Sequence, residues 1–323
     1  MPWRKGNRLK LVPENQAQGR VAEIYNEIRQ NLGIPQVPAF FQAYAAFPVF
    51  FDLHWRALRP ITANREFFLL AERLGADAYT RLHSYFAIAD ISESLAALNF
   101  SIGAREELRQ IADLYHYCEP LVLLIVAAQF QAFDSPVGQK SVDTHPARPQ
   151  TFPIQPVLIH EDIAPPSTRQ IFDEMRRSLE LPLIPMALRA FARWPDFLQM
   201  YWAALKTVVQ SPVYEGCHYG VRETAFALTR EFPGILDLTL TQLAEAGLHN
   251  EDIASIVRLT ESFMTVVSGL VLNVAFAKIA IEGGTRRRMP PSSEAGHPAE
   301  GAHTGLNESQ AKGAAKGDKE HAA

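Results

Sequence analysis

The chain contains one segment twice, and this repeat constrains the fold more than any other feature. The stretch "FPVFFDLHWRAL" at Phe47–Leu58 returns as "WPDFLQMYWAAL" at Trp194–Leu205. The offset is 147 positions (Trp202 minus Trp55). At this offset residues 20–59 align onto residues 167–206 without a gap, with identities that include three prolines and a tryptophan: Pro35/Pro182, Pro38/Pro185, Pro48/Pro195 and Trp55/Trp202.

The length of the period indicates what is repeated. Solenoid repeats have a period of about 20–50 residues, whereas a domain has about 100–150 residues. An offset of 147 positions therefore predicts two homologous domains in one chain. Paired copies of one unit usually associate through the same surface on both. We therefore expect a pseudo-dimer with a pseudo-two-fold axis.

The apolar residues of both copies recur at helical spacing. In "VAEIYNEIRQNL", Val21, Ile24, Ile28 and Leu32 fall on one helical face. No alternating strand of useful length is evident, so the fold class is predicted to be all-α. Beyond the aligned region the pattern predicts further helical segments, at about 65–88, 105–115, 120–133, 215–230, 238–246 and 252–281.

Proline and glycine content divides the chain into four parts. The predicted boundaries are residues 1–133 for the first helical repeat, 134–166 for a linker, 167–282 for the second repeat and 283–323 for a tail. Residues 134–167 contain seven prolines and little periodicity, which is typical of an extended linker. The tail has almost no large apolar residues, so we expect it to be disordered.

Charge and cysteine content exclude several classes of partner. The formal net charge is −4, which indicates neither nucleic acid nor an anionic membrane surface as a partner. Two cysteines, Cys118 and Cys217, form no C-x-x-C motif, so a reduced, cytoplasmic location is expected. The two most apolar windows, "PLVLLIVAAQFQAF" and "FMTVVSGLVLNVAFAKIAI", are interpreted as buried core helices. The sequence is compatible with a homodimer.

The paired helical motifs resemble those of a known family. "IYNEIRQNLGIPQVP" followed by "FPVFFDLHWRAL", together with the second-half copy, resembles the DehI-type 2-haloacid dehalogenases (halocarboxylic acid dehydrogenase DehI). The resemblance covers residues 19–283. Each half is also similar to the helical subunit of the alkylhydroperoxidase D and carboxymuconolactone decarboxylase superfamily (AhpD-like).

The resemblance implies a specific reaction. Those enzymes hydrolyse 2-haloalkanoic acids by direct attack of an activated water, with inversion and without a covalent ester. The base is an aspartate of the second repeat, and the substrate lies between the two repeats. Displacement of halide beside a carboxylate requires a positioned nucleophile, a base and a place for the leaving anion.

The catalytic aspartate of the family is absent from this chain. In the family it lies eight residues before the proline of the second "WP". Here that proline is Pro195, and position 187 is alanine. The first-repeat counterpart is Phe40, which is not acidic either. The resemblance therefore implies the pocket but leaves its base unassigned.

Other family positions carry over with substitutions. An asparagine of the family's pocket corresponds to His116, and an aromatic residue beside the paired prolines corresponds to Gln36. A Thr-x-x-x-Glu pair that matters in relatives corresponds to Thr62 and Glu66, through an alignment with a two-residue gap. The predicted substrate-binding set is completed by neighbouring or equivalent positions: Ala39, Phe40, Tyr117, Ala187 and Glu261.

The segment "HYCEP" at 116–120 is the strongest cluster of reactive groups. It places an imidazole, a phenol, a thiol and a carboxyl just before a very apolar segment, where a helix N-terminus could hold an anion or activate water. The alternative is a plain helix start with Glu119 favoured by the helix dipole. Glu261 is the rough counterpart of Glu119, and two glutamates facing each other would raise each other's pKa. The candidate catalytic residues are therefore His116, Glu119 and Glu66.

No cofactor or metal is expected. No HExxH-type metal motif occurs. The C-x-x-C-x-x-x-H pattern of the peroxidase superfamily would fall on Ala76, Tyr79 and His83, and so lacks both cysteines. Disulfide peroxidase chemistry needs two thiols and is excluded at these positions.

Three functions remain open from the sequence. The leading prediction is a DehI-family-like hydrolase that binds a small 2-substituted carboxylic acid between the repeats and activates water without the usual aspartate. The second is a non-catalytic small-molecule-binding or scaffold relative that kept the core and lost the base. The third is a decarboxylase or isomerase activity in the same pocket.

Overall fold

Twelve α-helices account for most of the residues that the structure describes. The computed structural model describes residues 9–140 and 145–285. The first half contains α1 (Gly19–Leu32), α2 (Ala39–Tyr44), α3 (Pro48–Thr62), α4 (Arg65–Tyr85), α5 (Ser92–Ala97) and α6 (Ile102–Ala132). The second half contains α7 (Pro166–Ser178), α8 (Met186–Phe191), α9 (Pro195–Val209), α10 (Pro212–Thr229), α11 (Leu240–Glu245) and α12 (Asn250–Ile281).

The fold class is all-helical, as the periodicity predicts. Within the described residues the extended structure is limited to two isolated bridges, between Asn64 and Pro146 and between Val137 and Leu236. Pro48 and Pro195 each occupy the first turn of a helix, where a missing N–H removes no intrahelical hydrogen bond. The short segment "ILDLTLTQL" leads into α11, which a capping box at Thr239 starts.

The two longest helices form the centre of the molecule. α6 has 31 residues and α12 has 32, and they pack against each other and against α4 and α10. Both are long and apolar enough to cross a membrane, but 83% and 72% of their most apolar windows are buried inside the fold. They are therefore core helices here, as the sequence analysis predicts.

The extent of α6 differs from the prediction made from the sequence. The sequence predicts separate segments at 105–115 and 120–133, with a helix starting near Pro120. Instead a single helix runs from Ile102 to Ala132 through Pro120. A proline inside a helix removes one backbone hydrogen bond, and packing on α4 and α12 holds the helix together. The "HYCEP" segment therefore lies in the middle of a helix.

One tertiary contact occurs in both halves. Trp55 Nε1 donates to Glu27 Oε2 at 2.8 Å, and Trp202 Nε1 donates to Glu174 Oε2 at 2.7 Å. All four residues are identical pairs in the 147-position alignment. The contact joins α1 to α3 in the first half and α7 to α9 in the second. This shared role explains why both halves contain the tryptophan and the glutamate at equivalent positions.

The proline-rich segment contacts both halves. Its described parts are bonded to both halves: Gln36 Nε2, in the connection before α2, donates to Pro156 O (3.2 Å), and Ile159 N donates to Arg189 O of α8 (3.1 Å). At the other end of the chain, Thr285 N donates to Ile88 O at 2.8 Å. The predicted disorder of the tail concerns residues that, from 286 onward, lie outside the described part.

Candidate active site

An apolar pocket lies between the two halves. Its cavity volume is about 60 Å³, which is room for a few water molecules, and the pocket is partly open to solvent. The first half contributes mainly the start of α2 and one face of α6: Gln36, Ala39, Phe40, Tyr115, Cys118, Glu119 and Val122. The second half contributes the start of α8 and one face of α12: Leu183, Met186, Phe263, Val266, Val267 and Leu270.

Glu119 is the one ionisable carboxyl in the lining of this pocket. The Glu119 side chain is partly buried and lies in the lining of the pocket. Burial raises the pKa of Glu119 to about 8. The lining contains no lysine, arginine or histidine that would stabilise the carboxylate. At neutral pH the carboxyl is therefore mainly protonated, and it becomes mainly ionised, and so able to act as a base, above about pH 8.

Two further polar atoms at the pocket lack partners. The Tyr115 hydroxyl and Gln36 Oε1 are buried without a hydrogen bond among the described residues. Tyr115 precedes Glu119 by four positions, so both fall on one face of α6. Burial holds the pKa of Tyr115 well above its usual range, so the hydroxyl remains a neutral donor. Unpaired buried polar atoms are costly, and a polar ligand or an ordered water would satisfy them.

His116 lies in a different cavity. It borders a groove on the other side of α6, together with Arg65, Tyr79, Asp113, Tyr117, Arg148 and Lys278. Burial, with the positive charge of Lys278 acting in the same direction, lowers the pKa of His116 to about 4. The imidazole is therefore neutral at physiological pH. The structure separates His116 and Tyr117 from Glu119, so the expected convergence of His116 and Glu119 does not occur.

The remaining sequence candidates lie away from the pocket. Glu66 is exposed at the start of α4 and borders a separate surface groove with Arg73 and Glu231. Thr62 is buried in α3, where its hydroxyl accepts from Asn31 Nδ2 at 3.1 Å. Glu261 is exposed on α12, so the structure does not bring it opposite Glu119.

Position 187 and its first-half counterpart differ in whether they line the pocket. Ala187 is fully buried in α8 and is not part of the pocket lining, whereas Phe40, its partner at the 147-position offset, is. Gln36 and Ala39 also line the pocket as expected. Three of the expected substrate-binding residues thus line the same pocket as Glu119, and Ala187 does not.

Sequence reasoning missed Tyr115, Cys118 and the α12 wall. The signal was present, because Tyr115, Glu119 and Val122 recur at helical spacing. Placing a helix start at Pro120 concealed it, since the periodicity was not followed through the proline. The described residues contain no cluster of three or more histidine, cysteine or acidic side chains able to hold a metal ion.

Fold and pocket together define an all-helical protein whose apolar internal pocket holds a single carboxyl group. Comparison with known proteins shows which family this chain is similar to. The family model of halocarboxylic acid dehydrogenase DehI matches residues 35–185. The resemblance inferred from the sequence is thereby confirmed: over these residues the chain is similar to the DehI-type dehalogenases.

Characterised relatives agree with this assignment. The chain is 26% identical over 277 residues to an (R)-2-haloacid dehalogenase of Pseudomonas putida, an alignment that covers 84% of this chain and 92% of that one. It is 23% identical over 283 residues to a configuration-inverting 2-haloacid dehalogenase of Alcaligenes xylosoxydans xylosoxydans, with 84% and 94% covered. A solved D-2-haloacid dehalogenase in complex with L-LA matches with a TM-score of 0.81 and 25% identity, covering 84% and 96%.

Proposed function

We propose that this protein is a hydrolytic 2-haloacid dehalogenase in which Glu119 replaces the missing aspartate as the base. One observation carries the proposal: the carboxyl of Glu119 lies without an ionic partner in an apolar pocket between the halves, with its pKa raised to about 8. A general base works best with a pKa near the working pH. The relatives' activity on 2-haloacids supports the choice of substrate.

The proposed step is a direct displacement at C2 of the acid. The ionised Glu119 removes a proton from a water molecule while the water oxygen bonds to C2. The carbon–halogen bond breaks, and the halide leaves with the bonding electron pair. The products are a 2-hydroxy acid of inverted configuration, a halide ion and a proton, which Glu119 returns to solvent. No covalent intermediate and no cofactor are needed.

The substrate's carboxylate needs a hydrogen-bond donor, because the pocket lining contains no cation. The Tyr115 hydroxyl is such a donor, since it is buried without a partner and stays protonated. The positive charge of Arg189 acts on Tyr115 electrostatically, although Arg189 is not part of the lining. Arg189 Nε is held by Ile159 O at 3.2 Å.

We also propose that the pocket lies on a pseudo-two-fold axis between two homologous repeats of an AhpD-like fold. The six helices of each half have the same order and similar lengths. Asp77 and Thr224, which are 147 positions apart, contact each other at 3.2 Å, as expected of equivalent residues at an axis. The boundaries proposed for the repeats remain 1–133 and 167–282.

A second candidate is a binding protein without catalysis. The observation that favours it is Ala187, which is fully buried where the resemblance places the catalytic aspartate. In that case Glu119 would hold a ligand by donating a hydrogen bond from its protonated carboxyl.

Halide release from both enantiomers of 2-chloropropionate separates the two functions. We expect turnover by the wild type and a loss of about 10²–10⁴-fold in rate for Glu119→Gln, because a general base typically contributes that much. Glu261→Gln is the matched control, since it makes the same change at an exposed position. Below the pKa of about 8 the base is protonated, so kcat/KM of the wild type should rise with pH through about 8.

Two results would decide against Glu119. Equal rates for wild type and Glu119→Gln would assign the base elsewhere. No halide release by the wild type, together with acid binding that persists, would favour the binding protein. An Ala187→Asp variant that gains activity would show that the pocket lacks only the aspartate of the family.

A further inference from the structure

The two long helices give the pocket chemically different walls. α6 contributes Tyr115, Cys118, Glu119 and Val122, and α12 contributes Phe263, Val266, Val267 and Leu270. Each α12 residue lies 148 positions after one α6 residue (263 minus 115, 266 minus 118, 267 minus 119 and 270 minus 122). The walls are thus equivalent in position, but only the α6 wall carries polar groups.

The residues just before α2 and α8 show the same difference in polarity between the two halves. Gln36 and Leu183 are equivalent at the 147-position offset, and both line the pocket. Again the polar residue belongs to the first half and the apolar residue to the second. One side of the pocket can therefore hold water and a carboxylate, while the opposite side offers only apolar surface.

Displacement chemistry assigns a use to the apolar side. In an in-line displacement the attacking oxygen and the leaving group lie on opposite sides of the reacting carbon. If Glu119 activates the water, the water lies at the α6 wall and the halogen points toward α12. Val267 is the α12 position equivalent to Glu119 at the offset of 148 positions and lines the pocket, so it is the residue that we expect the halogen to face.

We propose that the α12 wall, and Val267 in particular, receives the halogen of the substrate and determines which leaving groups the pocket accepts. This inference rests on the proposed function. Carbon-bound chlorine and bromine are apolar and polarisable, so contact with valine, leucine and phenylalanine is favourable. Once released, the halide ion is charged and finds no partner in this wall, which favours its departure to solvent.

Binding of acids to a variant that lacks the proposed base tests the proposal without turnover. In Glu119→Gln protein, calorimetry would measure the dissociation constants of propionate, 2-chloropropionate and 2-bromopropionate. Burying a group of about methyl size should make 2-bromopropionate bind about fourfold more tightly than propionate. Val267→Ala in the same protein should bring that ratio close to one. Val267→Leu should favour propionate, because the added bulk occupies the space of the halogen.

Val274→Ala is the matched control. Val274 is buried on the same helix and is not part of the pocket lining, so its truncation should leave the ratio unchanged. An unchanged ratio in Val267→Ala, or an equal change in Val274→Ala, would overturn the proposal. Failure of all three acids to bind would reject the pocket as an acid site. Intact binding ratios without halide release by the wild type would reject only the proposed function.

Discussion

His54 shows at the scale of one residue how the core constrains titration. It is fully buried in α3 among the rings of Phe40, Phe41, Tyr44 and Phe50. Neither ring nitrogen has a hydrogen-bond partner in the described structure. Burial lowers the pKa of His54 to about 3. The imidazole therefore remains neutral throughout the physiological range.

This histidine should make the protein acid-sensitive. Below pH 6.5 the unfolded chain binds a proton at His54 that the folded chain excludes until about pH 3. Its contribution to stability is thus complete above pH 6.5 and is lost by about 1.4 kcal/mol per pH unit as the pH falls. Phenylalanine does not titrate, so the free energy of unfolding of His54→Phe should not show this loss. We expect the difference in free energy of unfolding between His54→Phe and the wild type to be about 2 kcal/mol larger, in favour of the variant, at pH 5 than at pH 7.

Urea unfolding at both pH values would measure this difference. The exposed His83 of α4 provides the control, and His83→Phe should keep the pH dependence of the wild type. If His54→Phe shows the same pH dependence as the wild type, His54 does not titrate as described.

Residue-level reasoning located part of the pocket. Glu119 and Gln36 were identified from the "HYCEP" segment and from the paired prolines. His116 was grouped with Glu119 because the two are close in sequence. Adjacent helical positions point about 100° apart, so a helix running through the segment turns Tyr115 and Glu119 to one cavity and His116 to another.

At the scale of elements, residues 149–150 of the proline-rich segment pack against the end of α1. Gly33 ends α1 at φ 68°, in the left-handed region, and a Cβ there would lie 2.5 Å from Gln150 O and 2.7 Å from Pro149 Cβ. The close approach requires glycine both for its backbone conformation and for the absence of a side chain. The segment is thereby held against the end of α1.

Gly33→Ala should therefore destabilise the protein by about 2–4 kcal/mol, as left-handed strain and a backbone clash add up. Gly19→Ala is the control, because Gly19 also has positive φ (52°) but no atom within 4 Å of the added Cβ. It should cost only about 1–2 kcal/mol. Equal urea midpoints for the two variants would mean that the segment does not press on Gly33.

At the scale of the whole molecule, α6 and α12 make the halves interdependent. The apolar windows of these two helices are 83% and 72% buried only because each lies against the other half as well as its own. Separation would expose much of that surface to water. The sequence also predicts a reduced, cytoplasmic location and a homodimer. Both remain predictions.

Fragments test this interdependence. We expect residues 1–140 and 145–323, expressed separately, to lack cooperative thermal unfolding, because each exposes one long apolar helix. Co-expressed, the two fragments should co-purify and regain the helical circular dichroism of the intact chain. A folded, monomeric fragment that unfolds cooperatively by itself would show that each repeat is an independent domain.

The sequence alone was sufficient for the all-helical class, for most helices and for the family resemblance. These follow from local periodicity, from proline at helix starts and from a repeat that a single alignment reveals. The tertiary structure decided which side chains share a cavity. Pro120 interrupts a helix by local rules, yet packing between α6 and α12 carries the helix through it. Only that long-range packing raises the pKa of Glu119 and places Val267 in the same pocket, because burial depends on contacts between distant parts of the chain.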